Sequence, residues 1–451
     1  MLGKRLGDEA RYLAALERIY AKYLKTGRVH ELQQEEVTLA QFNRDRHTLC
    51  KILADSVSDG SYQLSPGRLK RVKVEDKIRI LFSFNLTDLI VHAVVSQILT
   101  ELAEPFYSSC LYSYRKKLST RIAIDQLAIY VKSHRRKHAN PHDRGLFVLK
   151  RDIQAYTDSI PVHQRSRVWE LLGELFQRYD VKDVTQDPHF SFIQKVIRPE
   201  VIDFSGGIFT QYVGTPTGSP ISVFLFNFYL ADFDADMENV KDVFYLRYSD
   251  DFIILTENKE QAIEADSLIK KGLTRLQLGV RPDKAQDFFF NGAGKKSPQW
   301  SAAQGISKLT FLGWSLRFDS SVGLSEKKCR RFRQDLRERI FKSNHILNLH
   351  DLETRGRLLA LTINEVFKPS NSFAQNYSGL IFSSVTDRIQ LKEFDYWIAR
   401  VFQRALIGVS GVRAFRLISY RKIRKEWGLI SLVYMRDRSN RMRDSGIQKS
   451  G

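Results

Sequence analysis

Two adjacent carboxylates lie between two apolar runs in the segment LRYSDDFIIL, residues 246–255. The runs on either side have the composition of buried strands. Asp250 and Asp251 follow a serine, and Ser-Asp-Asp is typical of turns, so the segment predicts a β-hairpin. A plain turn is one interpretation of the two aspartates. The other is a metal site, because paired carboxylates supply the oxygen ligands that Mg²⁺ prefers.

A further carboxylate lies upstream, at the end of another apolar stretch. Asp152 closes the predicted buried strand GLFVLKRD. If this strand and the hairpin are neighbours in one sheet, Asp152 and Asp250 converge. Carboxylates from separate strands can hold two Mg²⁺ ions about 4 Å apart, which activate an attacking hydroxyl and stabilise a leaving pyrophosphate.

The remaining pattern predicts a mixed fold. Residues 68–84 alternate basic and apolar residues, as in a strand or hairpin, and residues 86–106 predict a buried helix. In the middle of the chain the predicted order is strand, helix, helix, strand, strand, helix, strand. This order favours an α+β layer with antiparallel strands. Both ends of the chain are predicted to be mainly helical, with Ser325 as a helix N-cap.

Positive charge is concentrated in the C-terminal third. The formal net charge is +20, and residues 316–451 contain 27 Lys+Arg against 13 Asp+Glu, which is +14 and leaves +6 for the first 315 residues. This imbalance favours a polyanionic partner, most simply nucleic acid. A solvated basic surface and a membrane-surface patch are the alternatives.

Other features bound the cellular setting. The sequence has no run of eighteen apolar residues, so no transmembrane helix is expected. Charges near the N-terminus argue against a signal peptide. The cysteines, Cys50, Cys110 and Cys329, are too far apart for a CxxC zinc site or a disulfide framework. A reducing, cytoplasmic location is the simplest expectation.

Several motifs together resemble those of the reverse transcriptases, in particular the prokaryotic group that includes group II intron and retron enzymes. The similar segments are YSDD (248–251), DIQAYTDSI (152–160), GTPTGSPISVFLFNFYL (214–230), RPDKAQ (281–286), FLGW (311–314) and the upstream stretches 62–95 and 111–124. A YxDD box alone would be weak support. The number of motifs and their order make the resemblance specific.

The resemblance implies a right-hand polymerase with fingers, a palm built on an antiparallel sheet, and a helical thumb. The implied divisions are an N-terminal helical extension (1–61), fingers (62–145), a palm with inserted fingers elements (146–315) and a basic helical thumb and C-terminal region (316–451).

The resemblance also implies roles for individual residues. Asp152, Asp250 and Asp251 would hold two Mg²⁺ ions, with Mn²⁺ as an alternative, and the Ile153 carbonyl would complete the coordination. Lys284 would protonate the leaving pyrophosphate, and Lys284 and Arg115 would balance the charge of the triphosphate.

Two positions depart from the family pattern near the nucleotide sugar. The family has Phe or Tyr where this chain has Thr157, and Tyr156 precedes it. Tyr156 could therefore supply the ring that blocks a ribose 2′-hydroxyl. The family also has Gln in the loop segment that here contains Thr217 and Gly218, so nucleotide positioning by this loop differs as well.

The expected function is therefore RNA-directed DNA synthesis, with deoxynucleotides, an RNA template and a primer or cDNA product. No HNH nuclease motif is evident, and the chain resembles the defence-associated reverse transcriptases of bacteria, which implies a dedicated noncoding RNA and an anti-phage role. No membrane partner is expected, and an oligomer is left open. The alternatives are a template-independent or protein-primed polymerase, an RNA polymerase permitted by Thr157, a group II intron or retron-type enzyme, and an inactive RNA-binding scaffold.

Overall fold

A computed structural model describes residues 2–26, 39–74, 77–138, 144–179, 181, 184–346, 351–367 and 384–444. Residues 27–38 and 368–383, which belong to stretches predicted to be mainly helical, lie outside the described residues. The chain divides into two compact units. The first contains residues 1–119 and 146–288, and the second contains residues 120–145 and 289–451. The division into extension, fingers, palm and thumb stays a prediction.

The chain contains both helices and strands, with helices at both ends of the described part. The α-helices with described bounds are α1 (Leu2–Leu6), α2 (Glu9–Thr26), α3 (Leu39–Arg44), α4 (Arg46–Ser58), α5 (Leu86–Ala103), α6 (Thr120–Lys137), α7 (Tyr156–Ser159), α8 (Arg167–Gln177), α9 (Pro188–Ile197), α10 (Ile221–Phe228), α11 (Ala231–Glu238), α12 (Lys259–Arg275), α13 (Glu326–Ile346), α14 (Leu352–Val366), α15 (Arg388–Ile407), α16 (Val412–Leu417) and α17 (Leu432–Asp444). The strands are β1 (Gly67–Val74), β2 (Lys77–Ser83), β3 (Leu146–Asp152), β4 (Glu200–Ile202), β5 (Ile208–Thr210), β6 (Val243–Tyr248), β7 (Asp251–Thr256), β8 (Gln286–Phe290), β9 (Gln304–Ile306), β10 (Lys308–Phe311), β11 (Trp314–Arg317) and β12 (Val322–Leu324).

A four-stranded sheet in the first unit has the order β2-β1-β4-β5. The predicted hairpin at residues 68–84 is present as the antiparallel pair β1 and β2. At the base of this hairpin Phe82, Phe84 and Val201 form an apolar cluster with Leu69 and Leu89. The cluster anchors the sheet on α5 through Leu89.

The second sheet of the first unit carries the predicted carboxylates. Strands β6, β7, β3 and the start of β8 are neighbours in that order, and β7 pairs antiparallel with both β6 and β3. The side chains of β7 from Phe252 to Thr256 are completely buried. Helix α12 covers one face of the sheet, and the burial of alternate side chains shows that the other face is covered as well. Both faces of these strands are therefore apolar, which explains the continuous hydrophobic runs in the sequence.

Helix α5 is the central helix of the first unit. The segment Leu86–Phe106 is the one helix among the described residues that is long and apolar enough to cross a membrane, with a mean hydropathy of 1.4 and 67% of that segment buried within the protein. It packs against α2 and α10, and Ile90, Val94 and Leu99 are completely buried. This packing accounts for its apolar composition.

A buried ion pair joins β6 to α11. The guanidinium of Arg247 donates to both oxygens of Asp234, at 2.7 Å from Nε to Oδ1 and 2.5 Å from Nη2 to Oδ2. The two side chains are 0% and 1% exposed. The Tyr245 hydroxyl also donates to Asp234, at 2.9 Å. Because neither charged group contacts water, each is stabilised mainly by the opposite charge of its partner.

The second unit combines a small sheet with helices. Strands β10, β11 and β12 form an antiparallel sheet, and α6 packs against it. The FLGW segment forms the β10–β11 turn, with positive φ at Leu312 (50°) and Gly313 (76°), as in a type I′ hairpin. Helix α13 follows Ser325, whose hydroxyl accepts from the Lys328 N–H at 3.5 Å, as predicted for an N-cap. Phe332 of α13 packs on Phe394 of α15, with ring centroids 5.0 Å apart.

Removing one partner of the buried pair should destabilise the first unit strongly. In Asp234→Ala, Arg247 is left as an uncompensated buried charge, and the free energy of unfolding should fall by about 3–5 kcal/mol. Urea denaturation followed by tryptophan fluorescence would measure it. Asp236→Ala is the matched control, because Asp236 pairs with Arg275 on the surface, where both side chains are over 60% exposed. Equal small losses in both variants would contradict the role of the buried pair.

Candidate active site

The three predicted catalytic aspartates meet where β3 and β7 lie side by side. Asp152 is the last residue of β3, and its direct antiparallel partner in β7 is Asp251. Ser249 and Asp250 form the two-residue loop between paired Tyr248 and Asp251. Ser249 has φ of 59°, and Asp250 does not have positive φ, as in a type II′ hairpin turn. The hairpin interpretation and the metal-site interpretation of this segment are thus compatible.

The backbone just beyond β3 joins this turn to a second segment. The Ile153 N–H donates to the Asp250 carbonyl at 3.2 Å. On the other side, the Gln154 N–H donates to the Gly279 carbonyl and the Arg281 N–H donates to the Asp152 carbonyl, both at 2.8 Å. The end of β3 is therefore held between the SDD turn and residues 279–281.

These contacts bring Lys284 to the carboxylates. The 3₁₀ turn Pro282–Lys284 follows directly, and Nζ of Lys284 lies 2.5 Å from Oδ2 of Asp152. The lysine side chain is 49% exposed, whereas that of Asp152 is 9% exposed. A cation that reaches the buried carboxylate from the solvent side lies where it can also contact a phosphate that approaches the site.

Crowding changes the acidity of two of the carboxylates. Burial raises the pKa of Asp250, and the charge of Asp152 adds to the shift. Partial desolvation raises the pKa of Asp251 to about 6, and the charges of Asp250 and Asp152 contribute to this rise, while Lys284 and Lys150 oppose it. Like charges held close together make ionisation costly, and a bound cation relieves that cost.

The donor set fits a divalent metal ion. Three carboxylates converge, and the Ile153 carbonyl accepts no hydrogen bond from any residue that the structure describes. Oxygen ligands of this kind suit Mg²⁺ or Mn²⁺. Asp152, Asp250, Asp251 and the Ile153 carbonyl are thus the residues that would hold the ions.

Lys150 is a residue of the site that the motifs did not indicate. It lies two positions before Asp152 on β3, hence on the same face of the sheet, and Nζ donates to Oε1 of Gln286 at 3.1 Å. Burial lowers its pKa, while the nearby charge of Asp251 acts in the opposite direction. The alternation of side chains along a strand was the signal that could have placed it here.

The backbone of the SDD turn is held by the nearby Arg247 and by Ser113, which is distant in sequence. Nη1 of Arg247 donates to the Ser249 carbonyl at 3.0 Å, and the Ser249 N–H donates to the Ser113 hydroxyl at 2.9 Å. Ser113 in turn donates to Oδ1 of Asn227 at 2.7 Å, and Nδ2 of Asn227 donates to the Ser113 carbonyl at 2.7 Å. Both backbone groups of Ser249 are thereby satisfied, which holds a non-glycine residue at positive φ.

The glycine-rich loop lies against β2. The Phe82 N–H donates to the Thr217 carbonyl at 2.8 Å. Gly218 has φ of 118°, and a Cβ there would come within 2.4 Å of the Phe82 carbonyl oxygen. Only glycine satisfies both conditions, because it has no side chain and tolerates this φ.

A buried histidine holds the next residue of this loop. Nδ1 of His92 on α5 lies 2.8 Å from the Ser219 hydroxyl, and the Ser96 hydroxyl donates to the Pro220 carbonyl at 3.0 Å. Burial lowers the pKa of His92 to about 3, so the ring is neutral at physiological pH. Sequence motifs gave no indication of His92, since it lies within an apolar helix.

The two residues expected near the nucleotide sugar have different environments. Ala155 adopts a left-handed conformation, with φ of 45°, and the chain then turns into α7. Tyr156 is 3% exposed, and its hydroxyl donates to the Phe226 carbonyl at 2.9 Å. Its ring is therefore part of the core and is not presented to a nucleotide. Thr157 is half-buried, and its carbonyl accepts from the Thr215 N–H at 2.8 Å, which ties it to the glycine-rich loop.

Arg115 has local partners. Its Nε donates to Oε1 of Glu104 at 2.9 Å, and Nη1 donates to the carbonyls of Ser108 and Leu111 at 2.9 and 3.1 Å. The side chain is 13% exposed. In this structure Arg115 organises residues 104–111, and its predicted contact with phosphate stays a prediction.

The sequence model of the family described as "Reverse transcriptase (RNA-dependent DNA polymerase)" matches residues 70–316, which are 247 of the 451 residues of the chain. The chain belongs to the reverse transcriptase family. Members of this family are nucleotidyltransferases that copy RNA into DNA with divalent metal ions. The predicted fold class, an α+β right-hand polymerase fold, is confirmed by this membership.

Among solved structures, telomerases of two yeasts are similar. Telomerase from Candida albicans, in complex with the TWJ fragment of telomeric RNA, is 15% identical and has a TM-score of 0.45, over 84% of this chain and 66% of that chain. Apo telomerase from Candida tropicalis is 13% identical with a TM-score of 0.44, over 82% and 68%. A form of it truncated from its C-terminal domain is 15% identical with a TM-score of 0.44, over 62% and 60%.

The chain thus spans less than two thirds of the length of two of these telomerase chains. No curated protein has a matching sequence.

Metal binding and pH should be linked through Asp251. Its raised pKa stabilises the metal-free fold at low pH, and this contribution disappears as the pH rises through about 6. Mg²⁺ needs the ionised carboxylates, so its affinity should rise over the same range. Thermal unfolding with and without Mg²⁺ should therefore show a larger metal-induced increase in Tm at about pH 7.5 than at about pH 5.

Asp251→Asn is the matched variant for this measurement, because it keeps the shape of the side chain and removes its titration. It should reduce the pH dependence of the Mg²⁺ effect. Equal stabilisation of the unsubstituted protein by Mg²⁺ at both pH values would contradict the linkage.

Proposed function

We propose that this protein is an RNA-directed DNA polymerase that extends a primer with deoxynucleotides by two-metal phosphoryl transfer, using Mg²⁺. The observation that carries the proposal is the direct pairing of Asp152 with Asp251 beside Asp250, with Lys284 on Asp152. An inactive scaffold would have no need to keep three mutually repelling carboxylates together.

The residues of the site have distinct tasks in this reaction. When bound, the metal ions would activate the primer 3′-hydroxyl and stabilise the leaving pyrophosphate. Asp152, Asp250 and Asp251 would hold the ions with their ionised oxygens. Lys284, with its ammonium group at the carboxylates and half of its side chain exposed, neutralises charge on the triphosphate and is positioned to donate a proton to pyrophosphate. The backbone of the loop at Thr217 and Gly218 forms one boundary of the nucleotide-binding site.

We further propose a dedicated noncoding RNA as the template, a cytoplasmic location and a role in bacterial defence against phage. The resemblance of the motifs to defence-associated reverse transcriptases supports the role. The net charge of +14 over residues 316–451 supports extensive contact with a nucleic acid.

Polymerisation should depend on the paired aspartates. In primer extension on a defined RNA template with deoxynucleotides and Mg²⁺, Asp250→Asn plus Asp251→Asn should reduce the rate by at least about a thousandfold, because transition-state charge is no longer stabilised. Sequencing of the nucleic acids that copurify from cells should find a DNA species with the unsubstituted protein and not with the double variant.

The sequence of that DNA separates the alternatives. A complement of one cellular RNA supports templated synthesis from a dedicated RNA. A product unrelated to any RNA would support template-independent synthesis and contradict the proposal. Identical RNA and no new DNA in both samples would favour a scaffold.

The burial of Tyr156 favours weak discrimination between sugars. With that ring in the core, the sugar position lacks the aromatic side chain that the family uses against the ribose 2′-hydroxyl. Thr157→Phe should therefore raise the preference for deoxynucleotides over ribonucleotides, measured as the ratio of kcat/KM values, by about tenfold or more. Tyr156→Phe is the control and should leave this ratio unchanged. A high preference for deoxynucleotides in the unsubstituted protein would contradict the inference.

A further inference from the structure

An aromatic and basic surface in the second unit is not explained by the polymerase site. It is built from α15, α16 and the segment that follows them. We call it the aromatic–arginine surface, and its members are Tyr396, Arg400, Arg404, Arg413, Phe415, Arg416, Tyr420 and Arg421.

Two of the three aromatic rings are stacked, and the third contacts them at an angle of 51°. The rings of Tyr396 and Phe415 are nearly parallel, at 18° with centroids 5.6 Å apart, and Phe415 contacts Tyr420 at 6.2 Å. Tyr396 is 47% exposed and Tyr420 is 41% exposed. Val412 and Leu417 of α16 are about 70% exposed beside them. Stacked rings that remain open to solvent offer faces on which further planar groups can stack.

Positive charge dominates the segment that carries Phe415 and Tyr420. Residues 400–425 contain eight Lys or Arg and no Asp or Glu. Lys422 and Arg424 pair with Glu353 and Asp395. The other six cations are exposed and form no ion pair with any residue that the structure describes; they are Arg400, Arg404, Arg413, Arg416, Arg421 and Lys425. Such a concentration of unneutralised charge favours the binding of a polyanion.

Arginine and aromatic rings are also in direct contact here. The guanidinium of Arg400 lies 5.9 Å from the centroid of Tyr396, and that of Arg424 lies 5.1 Å from Tyr420. Exposed rings beside arginines are the combination by which proteins bind unpaired nucleic acid, since bases stack on the rings and phosphates bind the cations. A duplex keeps its bases paired and would leave the rings without a partner.

We propose that the aromatic–arginine surface binds an unpaired segment of RNA. Single-strand character follows from the exposed rings, and the polyanion follows from the charge. The choice of RNA over DNA rests on the proposed function, in which RNA is the template. The surface belongs to the second unit, whereas the three aspartates belong to the first.

Fluorescence anisotropy with the full chain would test this. The probe is a labelled oligouridylate of about 12 nucleotides, which has little structure of its own and exceeds one stacking site. Tyr396→Ala plus Tyr420→Ala should weaken its binding by about tenfold or more, because each stacked base contributes substantially to affinity. Binding of a duplex RNA of the same length should not change.

Two further variants separate stacking from charge. Tyr396→Phe plus Tyr420→Phe keeps both rings and should bind like the unsubstituted protein. Arg404→Gln plus Arg413→Gln removes two cations and should lower the slope of log affinity against log salt by about 0.7 for each phosphate that is no longer neutralised.

Tyr434→Ala is the matched control. Tyr434 is 62% exposed and makes no ring stacking or cation contact with another described residue, so its removal should have no effect. Circular dichroism would verify folding, and the arginine variant tests the surface independently if the alanine variant does not fold.

The proposal is overturned if the tyrosine-to-alanine variant binds oligouridylate normally, if its affinity for duplex RNA falls equally, or if the corresponding DNA binds more tightly than RNA. Asp250→Asn plus Asp251→Asn should retain full binding. A protein that binds the probe through this surface but never extends a primer would overturn the proposed polymerase function and leave the RNA surface intact.

Discussion

The repulsion among three carboxylates is the constraint on which much of the first unit depends. Asp152 and Asp251 are forced together because β3 and β7 are hydrogen-bonded neighbours, and Asp250 is held beside them by a tight turn. Sheet hydrogen bonds cannot be relaxed locally without separating the strands, so burial, and in addition the repulsion between these groups, raises the pKa values of Asp250 and Asp251. The positive charges of Lys284 and Lys150 reduce this electrostatic cost. A bound divalent cation would remove most of it.

A second set of interactions holds the turn in register from within the core. Arg247 follows the buried face of β6, satisfies Asp234 and still has a donor for the Ser249 carbonyl. On the same face of the sheet, Arg151 of β3 pairs with Asp266 of α12 and with Asp287, because Arg151 and Arg247 are both aligned with Phe252 of β7. Arginine suits both places because its planar group donates in several directions at once. The two arginines thereby fix the sheet on the face opposite to that of Asp152 and Asp251.

Local patterns in the sequence were sufficient for the β1–β2 hairpin, for strands β3, β6 and β7, for helix α5 and for the positions of the three aspartates at the strand ends. Asp152 and the SDD turn stand out because carboxylates at the ends of apolar runs are costly unless they have a task. The supporting residues could not be found in this way. Ser113, Asn227 and His92 act through partners more than a hundred residues away, and their types are common in turns and helices. The direction of the Tyr156 ring depends on the left-handed conformation at Ala155, which an alanine does not indicate. The local partners of Arg115 were likewise hidden, because Glu104 lies 11 residues before it and outside the motif.

The contact between Gly218 and β2 couples the position of the glycine-rich loop to that of the hairpin. The Phe82 carbonyl leaves no clearance for a Cβ at position 218, and the N–H of the same residue holds the Thr217 carbonyl. The apolar cluster of Phe82, Phe84 and Val201 holds the end of strand β2 in place next to this loop. Because Phe82 belongs to β2, a displacement of this strand moves the backbone of Thr217 and Gly218 with it.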